Sequence, residues 1–253
     1  MSPKSVLAAF ALVAAIAPAK AGAAEIKLLA SVALKSVMES VLPEFERSRG
    51  HKVTATFGTA AALKAKIDGG ETFDVVVLLP TQIDELAQKG KVAGDSRVHL
   101  AKAGAGLGIL AGAAKPDIST DEKLKAYLLG VKSLSHSDPS SGGFSTAYFV
   151  KMATAMGIAD ALKAKTVYSK PGEGATLVAN GQVEVGVGMM SEVVPVAGVQ
   201  AIPFRTDDPS SFIVFTGAVA GTSANAEGSR ALLAYLRTAA VKDVIRSQGM
   251  TAP

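Results

Sequence analysis

The sequence predicts an α/β fold of two lobes, each built on a mostly parallel sheet flanked by helices. Short apolar runs alternate with amphipathic helical patterns along most of the chain, the order that parallel sheets with helical crossovers produce. The run Asp74–Leu79 is almost continuously apolar, as expected of a strand covered on both faces. The glycine-rich run His99–Gly112 suits a strand passing from one lobe to the other, and equally a simple bulged strand.

Three strand and helix pairs are predicted in the first hundred residues. The strands are expected at Ile26–Ala30, Val53–Phe57 and Asp74–Leu79. The first helix is expected to kink or break at Pro43 and to end at Gly50. The second helix follows Gly58-Thr59 and stops at Gly69-Gly70, and the third is capped by Thr81 and ends near Gly90.

The rest of the chain continues the alternation. The predicted helices carry Leu124–Leu129, Phe144–Met156, Leu177-Val178 and the apolar positions from Leu232 to Ile245. The predicted strands are Val131–Ser135, Val183–Met189, Gln200–Phe204 and Phe212–Val219. We place the first lobe at residues 25–98 and 215–253 and the second at residues 99–214, so the chain crosses between the lobes twice.

Residues 1–24 have the pattern of an export signal. Lys4 supplies the positive start, Val6–Ala17 is the apolar stretch, and small residues offer cleavage sites at positions 21–24. The apolar stretch is too short to span a bilayer, and no cysteine follows it that could carry a lipid anchor. We therefore expect a periplasmic protein secreted through an N-terminal signal peptide.

Composition argues against several classes of function. Loss of the signal removes Lys4 and Lys20 and no acid, so the formal net charge falls from +4 to +2. No basic run or aromatic cluster indicates nucleic-acid binding. The chain has no cysteine, and His51, His99 and His136 lack the spacing of a metal site. We expect a monomer with no cofactor, no metal and no nucleic-acid partner.

Three predicted strand-to-helix turns carry small hydroxyl residues. They are Ala30-Ser31, Gly58-Thr59-Ala60-Ala61 and Ser137–Gly143. In open α/β sheets, ligands bind beyond the carboxyl ends of the strands. The N–H groups and the positive dipole end of a helix N-terminus favour an anion there. The sequence therefore predicts a small-anion site in a cleft where these turns meet.

Four segments carry a resemblance to a known family: Ala30-Ser31, Phe57–Leu63, Phe73–Val76 and Leu177–Gly186. In them, and in order along nearly the whole mature chain, the protein resembles the periplasmic molybdate-binding protein family. That family belongs to the type II solute-binding proteins of ABC importers. The resemblance implies the type II periplasmic-binding-protein fold, capture of an anion between two lobes, and delivery to an ABC permease in the membrane.

The resemblance also implies site residues. By position, Ser31 and Thr59 match two hydroxyl contacts, and the turn from Asp138 to Gly143 matches a backbone contact. The residues predicted to bind the ligand are Ser31, Thr59, Ala60, Asp138, Ser140, Ser141, Gly142, Gly143 and Met189.

The chain departs from the family at three places. Ala60 stands where a second serine is common, Leu79-Pro80 where Ser-Ala is usual, and Met189 where a tyrosine is common. The Ser140–Gly143 insertion is more similar to relatives that hold small carboxylates or phosphorylated acids. One such relative is the exported enzyme aconitate isomerase. The ligand class is therefore a small oxyanion or carboxylate, and an exported isomerase of a small unsaturated tricarboxylate is the alternative function.

An isomerase of this kind needs a base with a pKa near neutrality. The candidates are His136, Glu173 and Lys35, together with Lys170. Each has a structural interpretation as well. His136 could donate to the backbone at a strand end, Lys35 could face solvent, and Glu173 could be a first-turn acid that complements a helix dipole.

Overall fold

The structure, a computed structural model, describes residues 25–205 and 208–253. The predicted signal peptide at residues 1–24 lies outside these ranges. Within them, no helix combines the length and the apolar character that a bilayer crossing requires.

Strands and helices alternate as the sequence predicts. The described strands are β1 (Glu25–Ser31), β2 (Lys52–Gly58), β3 (Val75–Leu78), β4 (Val98–Leu110), β5 (Leu134–Ser137), β6 (Thr166–Ser169), β7 (Val185–Met189), β8 (Val199–Pro203) and β9 (Phe212–Val219). The described helices are α1 (Lys35–Arg49), α2 (Ala60–Asp68), α3 (Pro80–Gln88), α4 (Asp121–Gly130), α5 (Phe144–Ala155), α6 (Ala159–Lys163), α7 (Gly174–Ala179), α8 (Met190–Val193), α9 (Ala226–Tyr235) and α10 (Ala239–Ser247).

Hydrogen-bonded strands form one path through the molecule, in the order β2-β1-β3-β9-β4-β7-β5-β6, with β8 paired to β4. The strands are parallel at both ends of the path, in β2-β1-β3 and in β7-β5-β6. The pairs in the middle, formed by β4 with its neighbours and by β3 with β9, are antiparallel. The predicted two-lobed α/β fold is confirmed. Here the first lobe means β1–β3 with α1–α3, α9 and α10, and the second lobe means β5–β8 with α4–α8.

The long strand β4 joins the two sheets. Residues 98–104 pair with β9, and residues 105–110 pair with β7 and β8. The register against β9 also shifts between His99 and Ala101, so β4 is both a crossing strand and a bulged strand. Its partners change between Gly104 and Ala105. The lobe limits that we place at residues 98/99 and 214/215 stay a prediction.

Each lobe has its own apolar core. In the first lobe, Leu28 and Val77 face a cluster with α1, α9 and α10, whereas Leu29 and Val76 face a cluster with α2 and α3. Both faces of this sheet are therefore covered, which explains why β3 is apolar at every position. The core of the second lobe packs β4, β5 and β7 against α4, α5 and α6.

Local expectations failed where short-range signals were weak or were overridden. Helix α1 runs unbroken through Pro43, and it ends as predicted at Gly50, whose φ is 71°. Helix α3 has Leu79 as its N-cap with Pro80 at its first position, so Thr81 is not the cap. The strand expected at Val131–Ser135 lies at Leu134–Ser137 instead, because Val131 ends α4. The short elements α6, β6 and α8 were not predicted.

Glycine at position 106 is required by packing on β4. A Cβ there would lie 2.5 Å from the Ile202 carbonyl oxygen and 2.5 Å from the Met190 sulfur. We predict that Gly106→Ala lowers the free energy of unfolding by about 1–3 kcal/mol, the usual range for overpacking. Denaturant unfolding with an unchanged m-value measures this loss.

Gly130→Ala is the matched control, since Gly130 is helical and has open space around its Cβ position. It should be neutral, or stabilising by up to about 1 kcal/mol. Equal stability losses in the two variants would contradict the packing account of Gly106.

Candidate functional site

A cavity of about 280 Å³ opens between the two lobes. Its lining includes Ser31 at the end of β1, Ser137 at the end of β5 and Met189 at the end of β7. Thr59 follows β2, and Gly172 follows β6. The carboxyl ends of parallel strands from both lobes therefore meet at this cavity, which is where open α/β sheets bind ligands.

Most of the predicted ligand-binding residues line this cavity. Those that do are Ser31, Thr59, Ala60, Gly142, Gly143 and Met189. The other three, Asp138, Ser140 and Ser141, belong to the same turn but do not line the cavity. The Asp138 carboxylate accepts bonds from the Ser140 N–H at 2.8 Å and the Ser140 hydroxyl at 2.6 Å, and these bonds lower the pKa of Asp138. Asp138 thus shapes the turn that places Gly142 and Gly143 at the cavity.

The Ser31 hydroxyl is available to a ligand. Ser31 is a buried residue in the cavity lining, and its Oγ makes no hydrogen bond to any other described residue. It lies where β1 runs into the 3-10 turn Val32–Leu34 that precedes α1. A hydroxyl can rotate its proton toward whichever acceptor enters the cavity.

The Thr59 hydroxyl has a different role in this structure. It accepts a bond from the Ala62 N–H at 3.2 Å and so caps α2. It also donates to the Ser141 carbonyl oxygen of the second lobe at 2.6 Å. Its single proton is therefore used in a bond between the lobes rather than aimed at the cavity.

Two glycines let the lobes approach each other around the cavity. A Cβ on Gly142 would lie 2.7 Å from the Ala61 Cβ of the first lobe, and the φ of Gly142 is 68°. A Cβ on Gly172, whose φ is 84°, would lie 3.0 Å from Val32 Cγ2. The structure is therefore a closed arrangement, in which backbone of the second lobe lies against the first lobe.

Two neutral polar residues that line the cavity, Ser145 and Gln82, are not among the residues predicted from the sequence. Ser145 is buried in the first turn of α5, and its Oγ makes no hydrogen bond to another described residue. Gln82 accepts from the Leu79 N–H at 3.3 Å through Oε1. A hydroxyl in the first turn of the helix after the Ser137–Gly143 turn could have pointed to Ser145. The sequence around Gln82 indicates only a helix cap and does not predict a position in the cavity lining.

Glu192 was also missed, and it is the one ionisable residue among the described residues that line the cavity. Its Oε2 accepts from the Met189 N–H at 3.0 Å. Burial raises the pKa of Glu192 to about 7, although the Met189 N–H opposes this shift. In the sequence, an acid three residues after a strand end indicates a helix cap and gives no sign of a binding or catalytic role.

The candidate catalytic residues lie away from this cavity. His136 lines a separate cavity of about 190 Å³, where its ring packs against Phe149 and Tyr168. Its Nδ1 lies 2.7 Å from the Ser137 carbonyl oxygen, and burial lowers its pKa. Lys35 is exposed and pairs with Glu39 at 3.7 Å.

Glu173 and Lys170 are exposed and do not line the interlobe cavity either. In the described ranges, no group of three or more His, Cys, Asp or Glu residues is arranged to hold a metal ion.

A larger cavity of about 450 Å³ lies at the opposite, amino ends of β1 and β3. Three of its polar side chains, Asp74, Ser223 and Asn225, make hydrogen bonds that hold the fold together. The Asp74 carboxylate accepts from the Lys27 N–H at 2.9 Å and from the Ser223 hydroxyl at 2.7 Å. Asn225 donates to the Glu25 carbonyl oxygen at 2.9 Å. These bonds tie the segment before α9 to the sheet, so the interlobe cavity is the better candidate site.

Comparison with known proteins places this geometry in context. The family model described as bacterial extracellular solute-binding protein matches residues 26–251. An aconitate isomerase from Pseudomonas sp is 29% identical over 229 residues, which is 88% of this chain and 86% of the relative. The molybdate-binding protein ModA of Azotobacter vinelandii is 27% identical over 190 residues, which is 72% of this chain and 71% of the relative.

The fold is shared with solved structures. The periplasmic molybdate-binding protein of Azotobacter vinelandii superposes with a TM-score of 0.71 at 18% identity, covering 90% of this chain and 99% of that chain. The sulfate-binding protein SubI of Mycobacterium tuberculosis superposes with a TM-score of 0.64 at 19% identity, covering 90% and 86%.

The bond from Thr59 to Ser141 favours the closed arrangement, because it joins the lobes through a single hydroxyl. We predict that Thr59→Val opens the cleft and increases the radius of gyration measured by small-angle X-ray scattering. It should also lower stability by about 1 kcal/mol through loss of the α2 cap. Thr59→Ser keeps the hydroxyl and should behave like the wild type.

Thr120→Val separates the two effects of Thr59→Val. Thr120 caps α4 by accepting from the Lys123 N–H, and it makes no bond to the first lobe. This variant should lose similar stability without any change in radius. An equal increase of radius in both Val variants would show that the Thr59–Ser141 bond does not govern closure.

Proposed function

Because the chain belongs to the bacterial extracellular solute-binding protein family, we propose that it captures a small oxyanion or carboxylate between its lobes for an ABC permease. The proposed location is the periplasm, reached through the signal peptide at residues 1–24. One observation carries the proposal most directly. The carboxyl ends of strands from both lobes meet at one cavity, whose described lining residues offer hydroxyl and N–H donors and include no cation.

The donors in this cavity are suited to an anion. Ala60 and Ala61 stand in the first turn of α2, and Phe144 and Ser145 stand in the first turn of α5. Backbone N–H groups in a first turn have no acceptor within their own helix. Together with the Ser31 hydroxyl they can surround an anion with dipoles. No buried cation is then left uncompensated when the site is empty.

The placement of these donors on two lobes links binding to closure. The first turn of α2 belongs to the first lobe, and the first turn of α5 belongs to the second. A ligand that bonds to both favours the closed form by its difference in affinity between the open and closed forms. A permease could then distinguish the loaded protein from the empty one by shape.

The relatives support an anionic ligand without choosing one. A molybdate-binding protein and an aconitate isomerase both match this chain over most of its length. Ala60 and Met189 provide no side-chain hydroxyl where the molybdate-binding family often has one. We therefore propose the broader class of oxyanions and small carboxylates.

A thermal-shift screen tests the proposal. We expect at least one of molybdate, tungstate, sulfate, phosphate, citrate and aconitate to raise the melting temperature, because a ligand bound only by the native state stabilises it. A ligand at 100 times its Kd adds about 2.7 kcal/mol. If none of the six shifts the transition at millimolar concentration, anion capture is contradicted.

The Ser31 hydroxyl should matter for the anion that binds. We predict that Ser31→Ala weakens binding by about 1–3 kcal/mol, which raises Kd by roughly 5- to 150-fold, because a desolvated anion loses one donor. Isothermal titration calorimetry measures this change. Ser40→Ala removes an exposed serine of α1 outside the cavity and should leave Kd unchanged. Equal affinities in all three proteins would remove Ser31 from the site.

A second candidate function is isomerisation of a small unsaturated tricarboxylate. The observation that favours it is Glu192, an acid with a pKa of about 7 in the wall of the same cavity. In that reaction, Glu192 would take a proton from the carbon next to one carboxylate. The double bond would shift, and the proton would return to the far carbon of the allylic system.

Ultraviolet absorbance of cis- or trans-aconitate tests for turnover. An isomerase would change the absorbance catalytically, and Glu192→Gln would slow it by roughly 10²–10⁴-fold. Glu227→Gln, an exposed position on α9, is the matched control. Stable absorbance with micromolar wild-type protein would exclude the isomerase and leave anion capture standing.

A further inference from the structure

We propose that Glu192 couples ligand capture to one proton, so that the anion is held with a hydrogen between one of its oxygens and the Glu192 carboxyl. This inference rests on the proposed function and specifies how the same cavity selects its ligand. It follows from the position of Glu192, from the bonds that its two oxygens make, and from the charges around it.

The two carboxyl oxygens of Glu192 have different surroundings. Oε2 accepts from the Met189 N–H at 3.0 Å, which closes the first turn of α8. Oε1 makes no hydrogen bond to another described residue. It lies near Gly172, at the point where that glycine meets Val32 of the first lobe, since a Cβ on Gly172 would be 3.8 Å from Oε1 and 3.0 Å from Val32 Cγ2. One oxygen is therefore committed to the fold, and the other is free at the junction of the lobes.

Among the residues that the structure describes, no other charged group lies in the cavity wall beside this carboxyl. The contacting elements β7, β8, α7 and the turn Val32–Leu34 contain no titratable residue. On β4, α8 packs against Gly106 and Gly108.

The charged residues that lie on or beside the surrounding elements make their contacts away from Glu192. On β4, His99 bonds Thr216 and Lys102 lies over the Phe212 ring. Beside the turn, Lys35 is exposed and pairs with Glu39. The loop that carries Gly172 also holds Lys170 and Glu173, and both are exposed.

A proton resolves the conflict between this acid and an anionic ligand. An ionised carboxylate would repel an anion in a low-dielectric cavity where no described lining residue is a cation. If the carboxyl keeps its proton, it becomes one more donor in a ring of donors. If the ligand brings a hydrogen of its own, the ionised carboxylate accepts it. Either way, one hydrogen lies between the two groups.

The two cases give different pH profiles. A fully ionised anion such as sulfate or molybdate needs the proton on Glu192. Its affinity should therefore fall about tenfold for each pH unit above about 7. An anion that carries its own hydrogen, such as hydrogen phosphate, should lose affinity less steeply. The cavity would thus favour hydrogen-bearing anions as the pH rises.

The experiment measures Kd by calorimetry for sulfate, molybdate, phosphate and trans-aconitate between pH 6 and 8.5, in buffers with different heats of ionisation. For a fully ionised anion at pH 8, we expect the wild type to take up close to one proton. Glu192→Gln keeps an acceptor for the Met189 N–H and a donor for the ligand. It should take up none and should keep its low-pH affinity throughout. Glu227→Gln should match the wild type.

A ligand-free measurement checks the protonation of Glu192 directly. The pKa of the Glu192 carboxyl is higher in the native state than its ordinary value of 4.5, so the native protein holds this proton more tightly than the unfolded chain does. The unfolding free energy of the wild type relative to Glu192→Gln should therefore fall as pH rises from about 4.5 to about 7. A flat difference over this range would overturn the proposal.

The outcomes separate this inference from the function on which it rests. If none of the four anions binds the wild type at any pH, anion capture fails and the inference fails with it. If an anion binds with the same proton count and pH profile in the wild type and in Glu192→Gln, only the inference fails. Proton uptake that is lost in Glu192→Gln supports both.

Discussion

One strand shared by two sheets is the constraint on which the rest of this structure depends. β4 gives its first half to β9 and its second half to β7 and β8, so backbone hydrogen bonds continue from one lobe into the other. The parallel strands on either side then end at a common cavity. The glycines of β4 permit this arrangement, because neighbouring backbone and side chains occupy the space a Cβ would need. β4 therefore connects the lobes and positions the strands whose ends form the site, although none of its residues lines the cavity.

The sequence contained most of the fold and the family. Apolar periodicity located the strands of both sheets, and the resemblance to the molybdate-binding family is supported by the family match and by relatives along most of the chain. The elements that escaped, such as α6 and β6, are short, and β6 is half-exposed, so neither carries a strong apolar pattern. The prediction that Pro43 kinks or breaks the first helix was wrong, because packing of α1 on the sheet outweighs the loss of one backbone hydrogen bond.

The sequence predicted where the candidate site lies better than it predicted which hydrogen bonds each side chain makes there. Strand ends and helix starts are local features, so Ser31, Gly142 and Gly143 could be placed at a cleft from sequence alone. The second bond of the Thr59 hydroxyl could not, because its acceptor lies 82 residues away on the other lobe. Glu192 was hidden for a similar reason. Its local pattern is that of a cap, and its position in the wall of the interlobe cavity becomes visible only in the folded structure.

The bond between Thr59 and the second lobe limits sequence variation at some positions and not at others. Its acceptor is the peptide oxygen of residue 141, which any amino acid at that position would offer equally well. Natural variation at position 141 can thus be wide while the contact persists. Position 142 differs, because its left-handed backbone and the nearby methyl group of Ala61 restrict it to glycine. A family comparison would therefore detect this contact through the neighbour of the bonded residue rather than through the residue itself.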